Sequence, residues 1–312
     1  MVESMPSKIY KYMGPEVLTK AFSDEDYCGL KCSYPKDFND PYELFLTIDY
    51  QQDPELLAYY QDVVGKLPQL PTTCFSKSPI IIPMWAHYAH NHCGVVVEID
   101  EEQITKHFPE IGFGDIDYID QASDDLQSTL DRAYGIGKYR YHYMLQRGVF
   151  SAAYYTKHTC WSYEQERRLV AGENDVKDFK GMKILKLPID CVTSLISGCN
   201  STSDTEQIVS SLASKHGAEH YKMKIGKSST NPYFVGSNDH SYEFKNGIIS
   251  KCESYCVSCK EPTEETDVCP WCAIEEHHTK SAASQNPMRM LDRLGLLDQY
   301  YKDMNASSGK KK

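Results

Sequence analysis

Two carboxylates, Glu164 and Glu166, open the run Trp161-Ser162-Tyr163-Glu164-Gln165-Glu166-Arg167-Arg168-Leu169-Val170. The apolar end of this run reads as a strand, and side chains alternate faces along a strand. That spacing puts Glu164, Glu166 and Arg168 on one face, with Arg167 and Leu169 on the other. Three ionisable groups on one strand face are costly to bury and unnecessary for a core. The placement points to chemistry, with a solvated strand face as the bland alternative.

A second set of residues could hold a metal. Cys256-Val-Ser-Cys259 and Cys269-Pro-Trp-Cys272 are two CxxC pairs separated by nine residues. Two such knuckles offer four thiolates to one tetrahedral Zn²⁺. Redox dithiols, free cysteines, or an iron–sulfur cluster on the same ligands are the alternatives. Four closed ligands leave no open position for a substrate, so the expected zinc is structural. Its binding would fold a segment too small for a core of its own. Cys252, His277 and His278 read as flanking residues.

Two aromatic clusters and one turn add candidates. Met84-Trp85-Ala86-His87-Tyr88-Ala89-His90-Asn91-His92 packs three histidines and two aromatics into nine residues, and Met84–His90 reads as one or two helical turns. It is either a pocket wall in which Trp85, His87 and Tyr88 touch a planar group, or an ordinary packing turn before a core strand. Phe38-Asn39-Asp40-Pro41-Tyr42-Glu43 reads as a turn, and Tyr10-Lys11-Tyr12 as a short strand. No Gly-rich phosphate loop, GxSxG elbow or HExxH is present.

The elements that must position these groups are mixed α and β. The 312-residue chain is long enough for one large domain with an appendage, or for two domains. Strands are expected at Ile9–Tyr12, Gly29–Ser33, Thr73–Ser76, Gly94–Ile99 (β-branched and the strongest), Ile116–Tyr118, Arg168–Gly172, Met182–Leu187 and His220–Ile225. Helices are expected at Glu16–Phe22, Pro54–Lys66, Asp124–Arg132, Tyr141–Tyr155 and Thr205–His216. His220–Ile225 is expected to close the first domain, and Ser228–Asp239 to be a linker. Met288–Asp303 reads as one amphipathic helix that packs on the body or on a partner, and Ser307–Lys312 as a polar tail. The expected domains are residues 1–236, a zinc ribbon over 237–284, and a helix with tail over 285–312.

The net charge of −11 excludes a general nucleic-acid coat, though not a locally basic cleft. No apolar run approaches a membrane span and no signal peptide is visible, so a cytoplasmic protein is expected. Seven further cysteines, including Cys74, Cys93 and Cys199, are scattered and read as small buried residues.

Taken in order, these clusters resemble the bacterial DUF2971 family. The resemblance rests on Tyr10-Lys11-Tyr12, Ser33-Tyr34-Pro35 through Glu43, Cys74-Phe75-Ser76, Met84 through His92, Gly94 through Asp100, the Glu164–Arg168 run and Ile196-Ser-Gly198-Cys199. It covers roughly residues 8 to 236. That family in turn resembles ADP-ribosyltransferases. The implied fold is α+β, a split and strongly bent pair of small β-sheets gripping NAD⁺. Such enzymes carry His or Arg on the first strand, where this chain has Tyr10-Lys11-Tyr12. They also carry a middle aromatic, here His87-Tyr88, and a later Glu-x-Glu, here Glu164-Gln165-Glu166.

The resemblance implies Glu166 as the carboxylate on the ribose 2′-hydroxyl and Glu164 as the group that orients or deprotonates the acceptor. Arg168, Lys11 and Asn39 would hold pyrophosphate or ribose hydroxyls. Tyr10, Trp85 and Tyr88 would stack on nicotinamide or adenine, with Tyr12, Asp40, Phe75, Ser76 and His87 completing the NAD site. The expected function is NAD-dependent ADP-ribosyl transfer to nucleic acid or protein, as a toxin or phage-defence effector with an antitoxin or regulatory partner. The alternatives are a non-catalytic nucleotide sensor and an interaction protein acting through the zinc ribbon.

Overall fold

The structure, a computed structural model, describes residues 8–40, 42, 47–65, 67–264 and 267–308. Pro41 and Glu43 of the turn motif, Lys66, and residues 309–312 of the tail lie outside them. The chain divides into two compact units, one ending at Cys252 and the other beginning at Glu253.

The first unit is α+β. Its strands are β1 (Lys8–Met13), β2 (Tyr27–Cys32), β3 (Thr72–Ser76), β4 (Val95–Asp100), β5 (Gly112–Asp115), β6 (Asp117–Ile119), β7 (Thr156–His158) and β8 (Glu166–Val170). Then follow β9 (Val176–Phe179), β10 (Met182–Pro188), β11 (Val192–Ser197), β12 (Glu219–Lys224), β13 (Tyr233–Gly236), β14 (Ser241–Lys245) and β15 (Ile248–Lys251). One mixed ten-stranded sheet runs in the order β15-β14-β13-β12-β11-β4-β1-β3-β8-β5. A second sheet is β2-β10-β9, and β6 pairs with β7. Helices α1 (Pro15–Ala21), α2 (Pro54–Val64), α3 (Ile82–Tyr88), α4 (Glu101–His107), α5 (Asp124–Ile136), α6 (Tyr139–Tyr155) and α7 (Ser203–His216) complete the unit.

Strand β4 lies between β1 and β11, and both its faces are covered. Val95, Val97 and Ile99 pack with Ile9, Leu169 and Leu195 on one side. Val96 packs with Tyr10, Tyr12, Trp85, Ile196 and Phe234 on the other. Burial on both faces is why the sequence there is a continuous β-branched run rather than an alternation. A third cluster joins α2, α5 and α6 through Leu56, Val63, Leu126, Leu130, Leu145 and Val149.

The sheet opens between β1 and β3. Strand β1 pairs with β4 along its whole length, and β3 with β8 along its whole length, but β1 and β3 share the single position Tyr10 with Ser76. Backbone groups beyond that position need other partners. Lys11 Nζ donates to Cys74 O at 2.8 Å and Thr73 Oγ1 at 2.9 Å, and Tyr12 OH donates to Ser78 O at 2.9 Å.

The expected linker Ser228–Asp239 holds β13, and β14 and β15 follow it, so His220–Ile225 is not the last strand. The turn between β14 and β15 is Asn246-Gly247, with φ of 53° and 83°. Asn-Gly is the favoured two-residue hairpin turn, because both residues tolerate positive φ. In the second unit, α8 (Glu276–Gln285) precedes α9 (Pro287–Arg293) and α10 (Leu297–Ser308). The single helix expected over Met288–Asp303 is broken there, because Gly295 adopts φ +70° and ends α9 left-handed.

Gly198 sits where two backbones meet, and a Cβ there would stand 2.1 Å from His92 O. His90, Asn91 and His92 already have φ of 48°, 52° and 67°. Gly198→Ala should therefore cost about 1–3 kcal/mol, read as a lower urea unfolding midpoint. An unchanged midpoint would mean that this loop yields freely.

Candidate active site and metal centre

Glu166 and Arg168 share one face of β8, as strand alternation requires, and both are buried. Glu164 is not on the strand. It ends a short 3₁₀ turn, Thr159–Glu164, and Gln165 turns the chain left-handed at φ 46° before β8 begins. The expected three groups on one strand face are thus two on the strand and one on the turn before it.

They converge through a residue that the sequence did not single out. Lys157 Nζ, on β7, donates to Glu164 Oε2 at 2.6 Å and to Glu166 Oε2 at 3.1 Å. Arg168 donates from Nε to Glu166 Oε1 at 2.7 Å and from Nη2 to Oε2 at 3.2 Å, while its Nη1 bonds Tyr154 O at 2.8 Å. The Cys74 thiol is hydrogen-bonded to Glu166 as well. On the other carboxylate, Tyr88 OH donates to Glu164 Oε1 at 2.7 Å, and Asn39 hydrogen-bonds Tyr88. No strand or helix period ties Lys157 to the glutamates, because the 3₁₀ turn breaks the repeat between them.

All four charged groups are buried: Lys157 is 7 % exposed, Glu164 and Glu166 3 % each, and Arg168 0 %. Burial raises the Glu166 carboxyl above the ordinary range, opposed by Lys157 and the Cys74 thiol and reinforced by Glu164. Burial also opposes the charge on Lys157, but the adjacent Glu166 and Glu164 outweigh it and hold the ammonium well above the usual lysine range. Burial lowers Arg168 to about 9, against the pull of Asp40, which still leaves it charged at neutral pH.

These groups line a cleft of about 190 Å³ at the opening between β1 and β3. Tyr10, Lys11, Tyr12, Asn39, Phe75, Ser76, Tyr88, Glu164, Glu166 and Arg168, all expected at the site, line it. So do Lys31, Thr73 and Cys74, which the sequence reading did not assign to binding. Trp85, Asp40 and His87 do not line it, although Asp40 is near enough to act on the Arg168 charge. Trp85 is fully buried against Tyr12, with ring centroids 5.4 Å apart, and its Nε1 donates to Pro79 O. Asp40 is buried and accepts from the Tyr42 backbone N–H. His87 is exposed on α3. Trp85, His87 and Tyr88 are close in sequence, but only Tyr88 reaches the glutamates.

In the second unit, the sulfurs of Cys256, Cys259, Cys269 and Cys272 all lie within 4.8 Å of one another. Cys259 and Cys269 Sγ are 3.7 Å apart. Tetrahedral zinc with Zn–S near 2.3 Å has an S···S edge of roughly 3.8 Å, so the four could hold a zinc. The separation is far too long for a disulfide. The Cys272 N–H also points at Cys269 Sγ, 3.4 Å away. A second group, His107, Asp190 and Cys191, is equally close, but burial beside Asp190 pushes the Cys191 thiol up to about 12. A neutral thiol is a poor ligand, and His107 Nε2 is already hydrogen-bonded to Asp190 Oδ2 at 2.9 Å.

The sequence profile of a family described as a protein of unknown function (DUF2971) matches residues 84–169. That stretch holds Tyr88, Lys157, Glu164, Glu166 and Arg168. No curated protein and no solved structure matches the chain. No helix among the described residues is long and apolar enough to cross a membrane.

Lys157→Met should destabilise the protein by about 3–5 kcal/mol, because it strands two buried carboxylates. Adding Glu164→Gln should recover part of that loss. A cost below about 1 kcal/mol in urea unfolding would show a solvated network instead. The purified chain should carry one zinc, and a strong chelator should make residues 253–308 protease-sensitive. Protein that resists the protease equally with and without chelator would sink the metal assignment.

Proposed function

We propose that the protein is an NAD⁺-dependent ADP-ribosyltransferase centred on the carboxylate pair bridged by Lys157. The observation that carries this reading is the convergence of Glu164 and Glu166 where the sheet opens between β1 and β3. A long sheet joined at one paired position supports an arrangement of two halves gripping a nucleotide. The cleft is smaller than the roughly 300–1,000 Å³ usual for ligand pockets. It would take one end of a dinucleotide and leave the rest on the rim.

Breaking the nicotinamide–ribose bond builds positive charge on the ribose. A carboxylate bound to the 2′-hydroxyl strengthens its hold as that charge develops. The resemblance favours Glu166 for this role, whereas the hydrogen bonds favour Glu164. Glu166 accepts twice from Arg168, once from Lys157 and once from Cys74, which fills the roughly four acceptor positions of a carboxylate. Glu164 accepts from Tyr88 and Lys157 among the described residues, and so has room for a ribose hydroxyl. Glu166 would then anchor the two cations.

Lys11 spends two of its three N–H donors on Thr73 and Cys74, leaving one for a ribose hydroxyl or pyrophosphate. Tyr10 commits its hydroxyl to Glu98 and its ring is fully buried against Phe244, so it would hold β1 in place rather than stack on the nucleotide. Burial keeps the Cys74 thiol protonated, which makes it no nucleophile. The zinc in this reading is structural. The acceptor is nucleic acid or protein, and the role that of a toxin or phage-defence effector. The presence of Lys11 at the first-strand place favours a second reading, a sensor that binds the nucleotide without turning it over.

Glu164→Gln should lower nicotinamide release from labelled NAD⁺ about a hundredfold or more and, because Lys157 keeps Glu166 as a partner, should cost less stability than Glu166→Gln. Glu166→Gln should lose both activity and stability. Full turnover in Glu164→Gln would refute its role. Wild-type protein that binds NAD⁺ yet releases no nicotinamide would be a sensor.

A further inference from the structure

The cleft accounts for one end of an unusual segment and leaves the other unexplained. From Arg132 to Tyr163 there is no aspartate or glutamate, in a chain of net charge −11. Arg132, Lys138, Arg140, Arg147 and Lys157 all fall there. Helix α6 crosses this stretch and buries Leu145 and Val149 against α2 and α5. Tyr139, Tyr143 and Arg147 recur every fourth residue on another face, with Arg140 beside them.

That face does nothing for the core. Tyr139 is 93 % exposed and Tyr143 60 %. Arg147 lies over the Tyr143 ring at 5.8 Å, and Arg140 over Tyr141 at 4.6 Å. Exposed rings interleaved with guanidinium groups match what an unpaired nucleic-acid strand offers, flat bases to stack and phosphates to neutralise. A duplex hides its bases and fits less well. Glu55 accepts from Tyr134, while Asp117 and Asp125 line a groove with Met144 and Ser151, one helical turn past Arg140 and Arg147, so these acids flank the arginines on one side.

We propose that this outer face of α6 docks a single-stranded nucleic acid and leads it toward the cleft. The continuity is covalent. Helix α6 runs directly into β7, whose Lys157 bridges the two glutamates, and Arg168 bonds the Tyr154 carbonyl in the last turn of α6. Docking stands on this surface alone. That the docked strand is the ADP-ribose acceptor rests on the transfer reading above.

The test is fluorescence anisotropy of the full chain with labelled oligo(dT), oligo(U) and a duplex, each roughly 20 nucleotides long to exceed known single-strand footprints. Single strands should bind more tightly than duplex, with affinity falling as salt rises. The arm that binds better names RNA or DNA. Tyr139→Ala with Tyr143→Ala should weaken binding tenfold or more. Arg140→Ala with Arg147→Ala should flatten the log–log salt slope by about 1.4, at roughly 0.7 per lost phosphate contact. All four side chains reach solvent, so the unfolding midpoint should not move.

Failure of both single strands to bind, as for a stripe that serves a protein, would overturn the proposal. Binding that ignores all four substitutions would do the same. Glu164→Gln should bind the strands like wild type. A strand that binds wild-type protein but receives no label from NAD⁺ would keep the docking site and remove the transfer reading.

Discussion

The structure of the site depends on one lysine. Lys157 places a single ammonium between two carboxylates that could not otherwise be buried a few ångströms apart. Without it, Glu164 and Glu166 would repel, and one would take up a proton. With it, three separate pieces of chain are tied together: the strand after α6, the 3₁₀ turn and β8. Arg168 extends the tie to the end of α6 and to Phe38, whose ring it faces at 4.9 Å. A buried network of this kind is worth little as net stability, since desolvation offsets most of the attraction. Its value is specificity, because few other arrangements of these segments satisfy all four charges at once.

The opening of the sheet follows from the same constraint. Strand β8 pairs with β3 throughout, so fixing Glu166 and Arg168 fixes β3. Strand β1 is held instead by β4, in the apolar centre of the sheet. The two halves meet at Tyr10 and Ser76, and Lys11 and Tyr12 reach across with side chains where backbone pairing stops. A cleft lined by strand edges offers unspent hydrogen-bonding capacity beside fixed charges, which is what a polar ligand needs and a core cannot offer.

What the sequence disclosed depended on whether the cause was local. The β4 run, helix α7 and the paired cysteines are set by residues a few positions apart. Glu166 and Arg168 were legible through the two-residue period. Glu164 was misplaced by a single left-handed residue, Gln165, which no side-chain type announces. Lys157 was illegible, since its role exists only once the fold brings its ammonium to both glutamates. The β14–β15 hairpin and the break at Gly295 were different: Asn246-Gly247 and Gly295 carried the signal, but the first fell in the stretch assigned to the zinc ribbon and the second was overridden by the helical spacing of Leu291, Leu294 and Leu297.

The division of labour between the glutamates follows from hydrogen-bond capacity rather than from their position in the chain. Glu166, on the rigid strand, is saturated by cations that need it, so a ligand could engage it only by breaking a buried ion pair. Glu164, on the turn, is oriented by Tyr88 and Lys157 from two sides and still has acceptor capacity. A carboxylate that must tighten on a developing charge has to be both fixed and incompletely satisfied before the ligand arrives. Seated on β8 as a third strand residue, Glu164 could not be approached from the β7 and α3 sides together. The left-handed step at Gln165 is therefore what separates the carboxylate that builds the site from the one left to act in it.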